Sequence, residues 1–434
     1  MERPLFACTL VCTLAFGSVA LHAYQLDYSL EASLGHSDNI NQSEIDPTGQ
    51  SVLIPRLKFD YREDGAYLLA RASGQVEYRD YLGGAFGNEL RGQFAGLATW
   101  FLFPQRLSLD FEDYAGVEPV NIFAPNTPNN TQQVNVATFG PTFYFRIQQT
   151  LKGQAELRLT SNTASKSKDF NSHRGFGALR AIKELSPLKK VSGNVEAQHV
   201  HFTDRSGGPD YSRYDAYARY QSTLTQLDLD LALGGSRVNF ANASANHSSW
   251  LGRGSLSWRA TPSNTLAVSA LRQYSDASQD LVADPAVLLA VTSLSNGITP
   301  GSTPITSQVY LERRVGASYV FHTERFLVRA EPYYKTLDYL LDPAFDQDVH
   351  GAVAGFSYRP RPLWTIALDA TEETRDYINV ARRDEDLRFD LSFVDRLTRQ
   401  WSVRLDLVRN QRNSDTAGQS FRENAAYVTA TFTR

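Results

Sequence analysis

Cysteine is nearly missing from this chain. Its 434 residues hold two, Cys8 and Cys12, and both lie in the first dozen. Beyond them the sequence can form neither a disulfide nor a thiolate metal site. Long apolar runs are missing too. Past the N-terminus nothing approaches the roughly 20 apolar residues of a helical membrane span, and mean hydropathy is −0.35. An excess of charge is also lacking: the net value is −4, which argues against a nucleic-acid partner. There is no Gly-rich phosphate loop between a strand and a helix and no CxxC pair. No cofactor motif, metal-ligand set or complete catalytic constellation is present, so the chain is read as a non-enzyme.

The first residues read as a secretory signal. Arg3 is the basic region, Leu5 to Phe16 the apolar core, and Leu21-His22-Ala23 a cleavage site, with Ala20 as second choice. A lipoprotein reading of Cys8 or Cys12 fails, because too few residues precede either to form the apolar core. The division expected is a signal peptide over 1–23 and one domain over 24–434.

What is present is alternation. Leu57, Phe59 and Tyr61 alternate with Lys58, Asp60 and Arg62. A turn at Glu63-Asp64-Gly65 leads to a return strand from Ala66 to Arg79, whose Ala70, Val76 and Tyr78 alternate with Arg71, Glu77 and Arg79. Side chains in a strand point to opposite faces with period two, so each strand has an apolar and a polar face. A tilted strand crossing a bilayer needs about nine to eleven residues, and this one has about fourteen. The pattern recurs along the chain, with short and long connections in strict alternation. That rhythm predicts an all-β fold, a transmembrane antiparallel up-and-down β-barrel of about 18–20 strands with short periplasmic turns and long outer loops. Abundant Tyr (21) and Phe (24) suit its aromatic girdles. Trp100, Trp258, Trp364 and Trp401 fall beside predicted periplasmic turns and Trp250 at the opposite end, as interfacial Trp should. The segment 116–132, rich in Pro and Asn, is expected to be loop.

The same parity predicts the barrel's lining. Arg56, Lys58, Arg71, Glu77, Arg79, Arg91, Arg158, Arg219, Arg253, Arg329, Arg388 and Arg404 are the candidate pore-lining residues, with Arg62, Lys152, Glu156, Glu331, Asp369, Asp390 and Asp406 on the same face. A lumen of both signs suits hydrated polar cargo better than an ion filter. It fits equally a set of cross-strand pairs that only keeps the lumen wet.

Other features are weaker. His247 and Ser249 are two apart, as in an outer-membrane phospholipase, but would face the lumen, the wrong side for lipid hydrolysis. His199 and His201 offer two ligands at the rim, and two are not a metal site. Asp384-Glu385-Asp386 reads as a solvated rim cluster. In the long loop 276–306, Asp284-Pro285 ahead of residues 286–291 suggests a capped short helix. That loop either folds into the mouth or packs on its neighbours outside.

Two stretches, Gly35-His36-Ser37-Asp38-Asn39-Ile40 and residues 131–146 (TQQVNVATFGPTFYFR), carry a family likeness. With the strand rhythm, they make the chain resemble the outer-membrane β-barrel porin type 2 family of Gram-negative bacteria, the exopolysaccharide or PEP-CTERM-associated type. The chain departs from the common outer-membrane pattern in placing its last aromatic, Phe432, two residues before the end. The resemblance implies a Gram-negative outer-membrane pore acting as a passive conduit for exopolysaccharide. It also implies a periplasmic polysaccharide export protein as partner, and outer-membrane lipid and lipopolysaccharide around the wall. A general diffusion porin for small polar solutes and a surface binding or adhesion barrel are the alternatives.

Overall fold

Alternating segments become strands wherever one face can meet lipid and the other water. The computed structural model describes residues 24–204, 207–241, 246–282 and 304–434. The signal segment expected at 1–23 and the helix expected within 284–291 lie outside the described residues. The strands are β1 (Tyr24–Ser37), β2 (Gln50–Asp64), β3 (Leu68–Tyr81), β4 (Glu89–Phe103), β5 (Leu107–Pro119), β6 (Thr131–Arg146) and β7 (Leu151–Ala164). There follow β8 (Ser172–Ser186), β9 (Lys189–Phe202), β10 (Tyr211–Thr223), β11 (Leu227–Phe240), β12 (Asn246–Thr261) and β13 (Asn264–Asp276). A short helix, α1 (Ala277–Val282), leads on to β14 (Val309–His322), β15 (Phe326–Tyr339), β16 (Gln347–Arg361) and β17 (Trp364–Tyr377). The set ends with β18 (Arg382–Arg396), β19 (Trp401–Ser414) and β20 (Phe421–Thr433).

Each strand pairs antiparallel with its sequence neighbours, and β1 closes on β20 through Ser33↔Thr429 and Gly35↔Tyr427. The result is one closed 20-stranded sheet. Its fold is that of an outer-membrane β-barrel. No described helix is long and apolar enough to cross a membrane. Turns of two to four residues join strands at the end that carries Tyr24 and Thr433, and connections of four or more residues, most of them longer, join them at the other. By the convention of such barrels the short-turn end is periplasmic. The outward face carries exposed Leu30, Leu34, Leu57, Phe143, Leu159, Val195, Leu233 and Leu405, with Trp100, Trp258 and Trp401 low on the wall and Trp250 high.

Three expectations need correction. Residues 116–119 and 131–132 are strand, not loop, because the polar alternation continues past the apolar band. Ala66 and Tyr67 belong to the turn, closed by Gly65 N–H on the Leu68 carbonyl (2.8 Å). The lumen is also narrower at its outer end than the strand number suggests. Pairing of β12 with β13 stops at Gly252↔Arg272, although both strands continue. Above that point β13 and β14 lean into the barrel. Tyr274 and Val309 bury their rings and methyls against Val200, Phe202, Tyr211, Val238 and Phe240, which project inward from β9, β10 and β11. Apolar burial on an inner face that would otherwise meet water holds this dent in place.

Candidate functional site

All twelve candidate lining residues lie on the inner face. Their register dictates it: Arg56 stands opposite Glu77, Glu77 opposite Arg91, and Arg71 opposite Arg62. Most are paired. Arg56 bridges Glu31 (2.9 Å) and Glu77 (2.7 Å), Lys58 also meets Glu31 (2.9 Å), and Arg79 meets Glu77 (2.7 Å). Arg91 meets Glu89 (2.6 Å), Arg404 meets Asp406 (2.8 Å) and Arg219 meets Asp230. Arg71 reaches Asp64 (3.4 Å), and Arg388 lies 3.6 Å from Asp390. Arg329 lies 3.7 Å from Glu331 and 3.6 Å from Asp369. Arg253 instead bonds Gln273 (2.7 Å) and covers the Tyr217 ring. Arg158 also mends the wall. Pro141 has no N–H to give the β6–β7 ladder, and Arg158 Nη1 donates to the carbonyls of Pro141 (3.0 Å) and Leu157 (2.9 Å) while Nη2 holds Asp110 (2.8 Å). A lining built this way is close to neutral.

Burial of these pairs changes along the barrel. Near the periplasmic turns most meet solvent: Arg71 and Asp64 are 52% and 45% exposed, Arg329 and Asp369 40% and 42%, while Asp406 beside Arg404 is buried. Near the outer end they do not: Arg382 and Asp384 are 6% and 0% exposed, Arg174 and Asp276 6% and 3%. The lumen is a cup open toward the periplasm.

Two of the chain's own loops close the outer end. The first, residues 120–130, crosses from β5–β6 to the far wall. There Phe123 packs on Tyr377 (4.9 Å between ring centroids) and Phe345 (5.9 Å) and lies under Arg382. Arg412 donates to the carbonyl of Ala124 (3.4 Å) and pairs with Asp386 (2.7 Å). A polar cavity of about 110 Å³ remains beneath this strap, lined by Arg79, Tyr81, Arg91, Asn126, Glu423 and Tyr427 among others.

The second strap begins at the end of β13. Asp276 accepts from Arg174 (2.7 Å) and from Tyr211 (2.5 Å), and caps α1 by taking the N–H groups of Ser278 and Gln279. Ser278 Oγ lies 3.0 Å from the Asn162 amide on β7, Gln279 accepts from Arg213 (2.7 Å), and Asp280 accepts from Tyr310 (2.5 Å). Ala277 and Ile305 pack on the inward side chains Val134 and Val136. The described parts of the long loop thus fold inward. Ser307 Oγ donates to the Gly207 carbonyl (2.6 Å). Nearby, burial pushes the Asp169 carboxyl up, against the pull of N–H donors from its own turn and from Ser307.

The remaining candidates have local roles. Asp384-Glu385-Asp386 is not a solvated cluster. Strand alternation sends Asp384 and Asp386 inward to Arg382 and Arg412 under the first strap, and Glu385 outward to Arg383. His247 faces inward, edge-on to Phe240, and Ser249 bonds the Trp250 carbonyl, so neither activates the other. His199 and His201 point outward to Ser212 (2.9 Å) and Asp210 (2.7 Å). Among the described residues no group of three or more His, Cys, Asp or Glu could hold a metal. Sequence reasoning missed Arg174, Arg213, Arg375, Arg382 and Arg412. Parity alone places Arg174, Arg375 and Arg412 inward, and does so for Arg213 and Arg382 once their strands are extended by a few residues.

No family model matches the chain, and no curated protein does. Solved barrels do. A mutant of the ferric enterobactin receptor of Pseudomonas aeruginosa aligns over 96% of this chain and 81% of its own, at 10% identity and TM-score 0.49. The FrpB iron transporter of Neisseria meningitidis aligns over 94% and 81%, at 9% and 0.45. The siderophore receptor PirA of Pseudomonas aeruginosa aligns over 96% and 81%, at 11% and 0.44. At these values the likeness carries no argument about cargo.

Proposed function

We propose that this barrel is an outer-membrane conduit for a hydrated polysaccharide leaving the periplasm, closed from outside by its own straps until cargo engages. The observation that carries the reading is the gradient of burial, open and charged at the periplasmic end and sealed at the outer end. A protein that captures ligands from the medium needs the reverse. Cation–carboxylate pairs around the wall offer many weak, solvated contacts and no single strong trap, which suits a long neutral or mildly acidic chain that must keep moving. At the inner mouth Arg146, Lys152, Lys183, Lys189 and Lys190 form an exposed basic rim over β6–β9. That rim suits the acidic face of a periplasmic export partner, the partner implied by the family resemblance. The chemistry is passage without covalent change, so no catalytic residue is assigned.

The paired, nearly neutral lining also suits a diffusion porin for small polar solutes. The two readings part on cargo size. Deleting the gene and measuring polysaccharide separately in medium and periplasm tests the first. Loss from the medium, restored by the intact gene, supports export. Unchanged secretion together with lost uptake of small sugars overturns it in favour of the porin.

A further inference from the structure

On the membrane-facing wall, charge is expected to be scarce, and at one place it is doubled. Arg272 on β13 and Arg313 on β14 stand directly opposite each other in the ladder, both pointing outward. Like charges directly opposite in a sheet repel. Arg313 is neutralised by Asp338 on the same outer face. Among the described residues no carboxylate pairs with Arg272, and its buried Nε has no hydrogen-bond partner. Its guanidinium lies over the Trp250 ring instead, 4.9 Å from the centroid.

The depth of the pair narrows the partner. Below Arg272 on the same face come Ala270, then exposed Val268 and Leu266 next to the periplasmic turn. Six residues of tilted strand at about 3.4 Å each lift Arg272 roughly 15 Å above Leu266, in the outer part of an apolar band about 25 Å tall. Trp250 is 58% exposed, at the height where an aromatic girdle meets headgroups. Its ring lies across Gly252, where a side chain would collide with it at 2.5 Å, so the glycine lets the indole lie flat toward Arg272. Here too the β12–β13 ladder ends.

We infer that Arg272, Arg313 and the Trp250 face bind a phosphate group of an outer-leaflet phosphorylated glycolipid. The Arg272 guanidinium fork matches phosphate geometry, Arg313, whose charge Asp338 offsets, adds N–H donors, and the indole meets the sugar or acyl stem. An arginine in the apolar band reaches up to that level on its own stem. This site lies on the outside of the wall and is independent of what passes through the lumen.

The probe is diphosphoryl lipid A, titrated into the whole barrel in detergent and counted by native mass spectrometry. Dephosphorylated lipid A and inorganic phosphate are run in parallel. R272Q and R313Q are compared with R383Q, an outward arginine that already has Asp376 and Glu385. We expect the diphosphoryl lipid to bind wild type and R383Q alike, and R272Q at least tenfold more weakly. Equal binding by R272Q, or equal binding of the dephosphorylated lipid, overturns the proposal. Displacement of the lipid by inorganic phosphate alone overturns the lipid as occupant and leaves a free-anion site. Should R272Q fail to fold, the comparison of the two lipids on wild type still decides.

Discussion

Asp276 and Arg174 lie 102 residues apart in sequence and meet at 2.7 Å across the mouth of the barrel. One ends the strand that leans inward and the other belongs to the wall it leans on. Both are almost wholly buried. Removing one member of such a pair strands the other without water, at a cost of about 3–5 kcal/mol, while removing both costs less. D276A and R174A should therefore each undock the strap at 277–282, and the double variant should do so less severely. Hydrogen exchange in α1 reads this directly, with protection lost by at least a hundredfold in the single variants. Unchanged protection would mean that apolar packing of Ala277 and Ile305 alone holds the strap.

Phe123 tests the other strap. Its ring makes contacts with Tyr377, Phe345 and Arg382 that Ala cannot. Phe123 is half-buried, so truncating it should cost less than the roughly 3–5 kcal/mol of a fully buried Phe. F123A should raise single-channel conductance in planar bilayers through intermittent opening. Replacing 121–129 by a short Gly-Ser linker should give a continuously open state with the barrel intact. A closed trace from the shortened protein would place the seal in the dent of β13 and β14 instead.

Glu77 and Arg71 face the same lumen, six residues apart on β3 and on opposite sides of a solvent boundary. Glu77 serves Arg56 and Arg79 and is 5% exposed. E77Q should lower unfolding stability by about 3 kcal/mol, because Arg79 loses its counter-ion and Arg56 one of its two in a buried setting. R71Q breaks only an exposed pair, worth about 0–1 kcal/mol. Urea unfolding in detergent separates the two, and equal losses would mean the outer lumen is wetter than its burial implies.

Asp169 gives the outer loops a pH dependence of known sign. Burial raises its carboxyl above the ordinary value, so the folded state holds the proton more tightly than the unfolded chain does. That contribution is full below the ordinary Asp value and is lost as pH rises through the raised one. Heat stability of wild type should therefore fall relative to D169N as pH rises above the ordinary Asp value of about 4. Parallel curves would show that the carboxylate is solvated in place.

The wall was legible in the sequence and the closure was not. Leu57 against Lys58, repeated strand after strand, fixes which side meets lipid, and the alternation of short and long connections fixes which end faces the periplasm. Both are local signals of period two. The meeting of Asp276 with Arg174, or of Phe123 with Tyr377, depends on where a loop lands across a cylinder, and no local pattern encodes that. Asp384 and Asp386 show the limit most plainly. Three consecutive acids looked solvated because nothing nearby predicted a strap above them. Parity would have split the trio, but only the folded loop explains why two of them are dry.

Cysteine scarcity supplies the last test. Neither native cysteine lies past residue 12, so one introduced on the wall is the sole thiol beyond that point. In a cup open toward the periplasm, R71C and R329C should react quickly with a bulky, membrane-impermeant maleimide supplied from the periplasmic side. D384C, at a site with no exposed side chain, should not react from either side. Shortening loop 121–129 should uncover D384C to reagent in the medium, because that strap is the cover above it. If D384C labels from outside in the unshortened barrel, the outer end is open and the gradient of burial does not describe the protein in its membrane. If R329C labels only from outside, the barrel is inserted the other way up, and the export reading loses its direction.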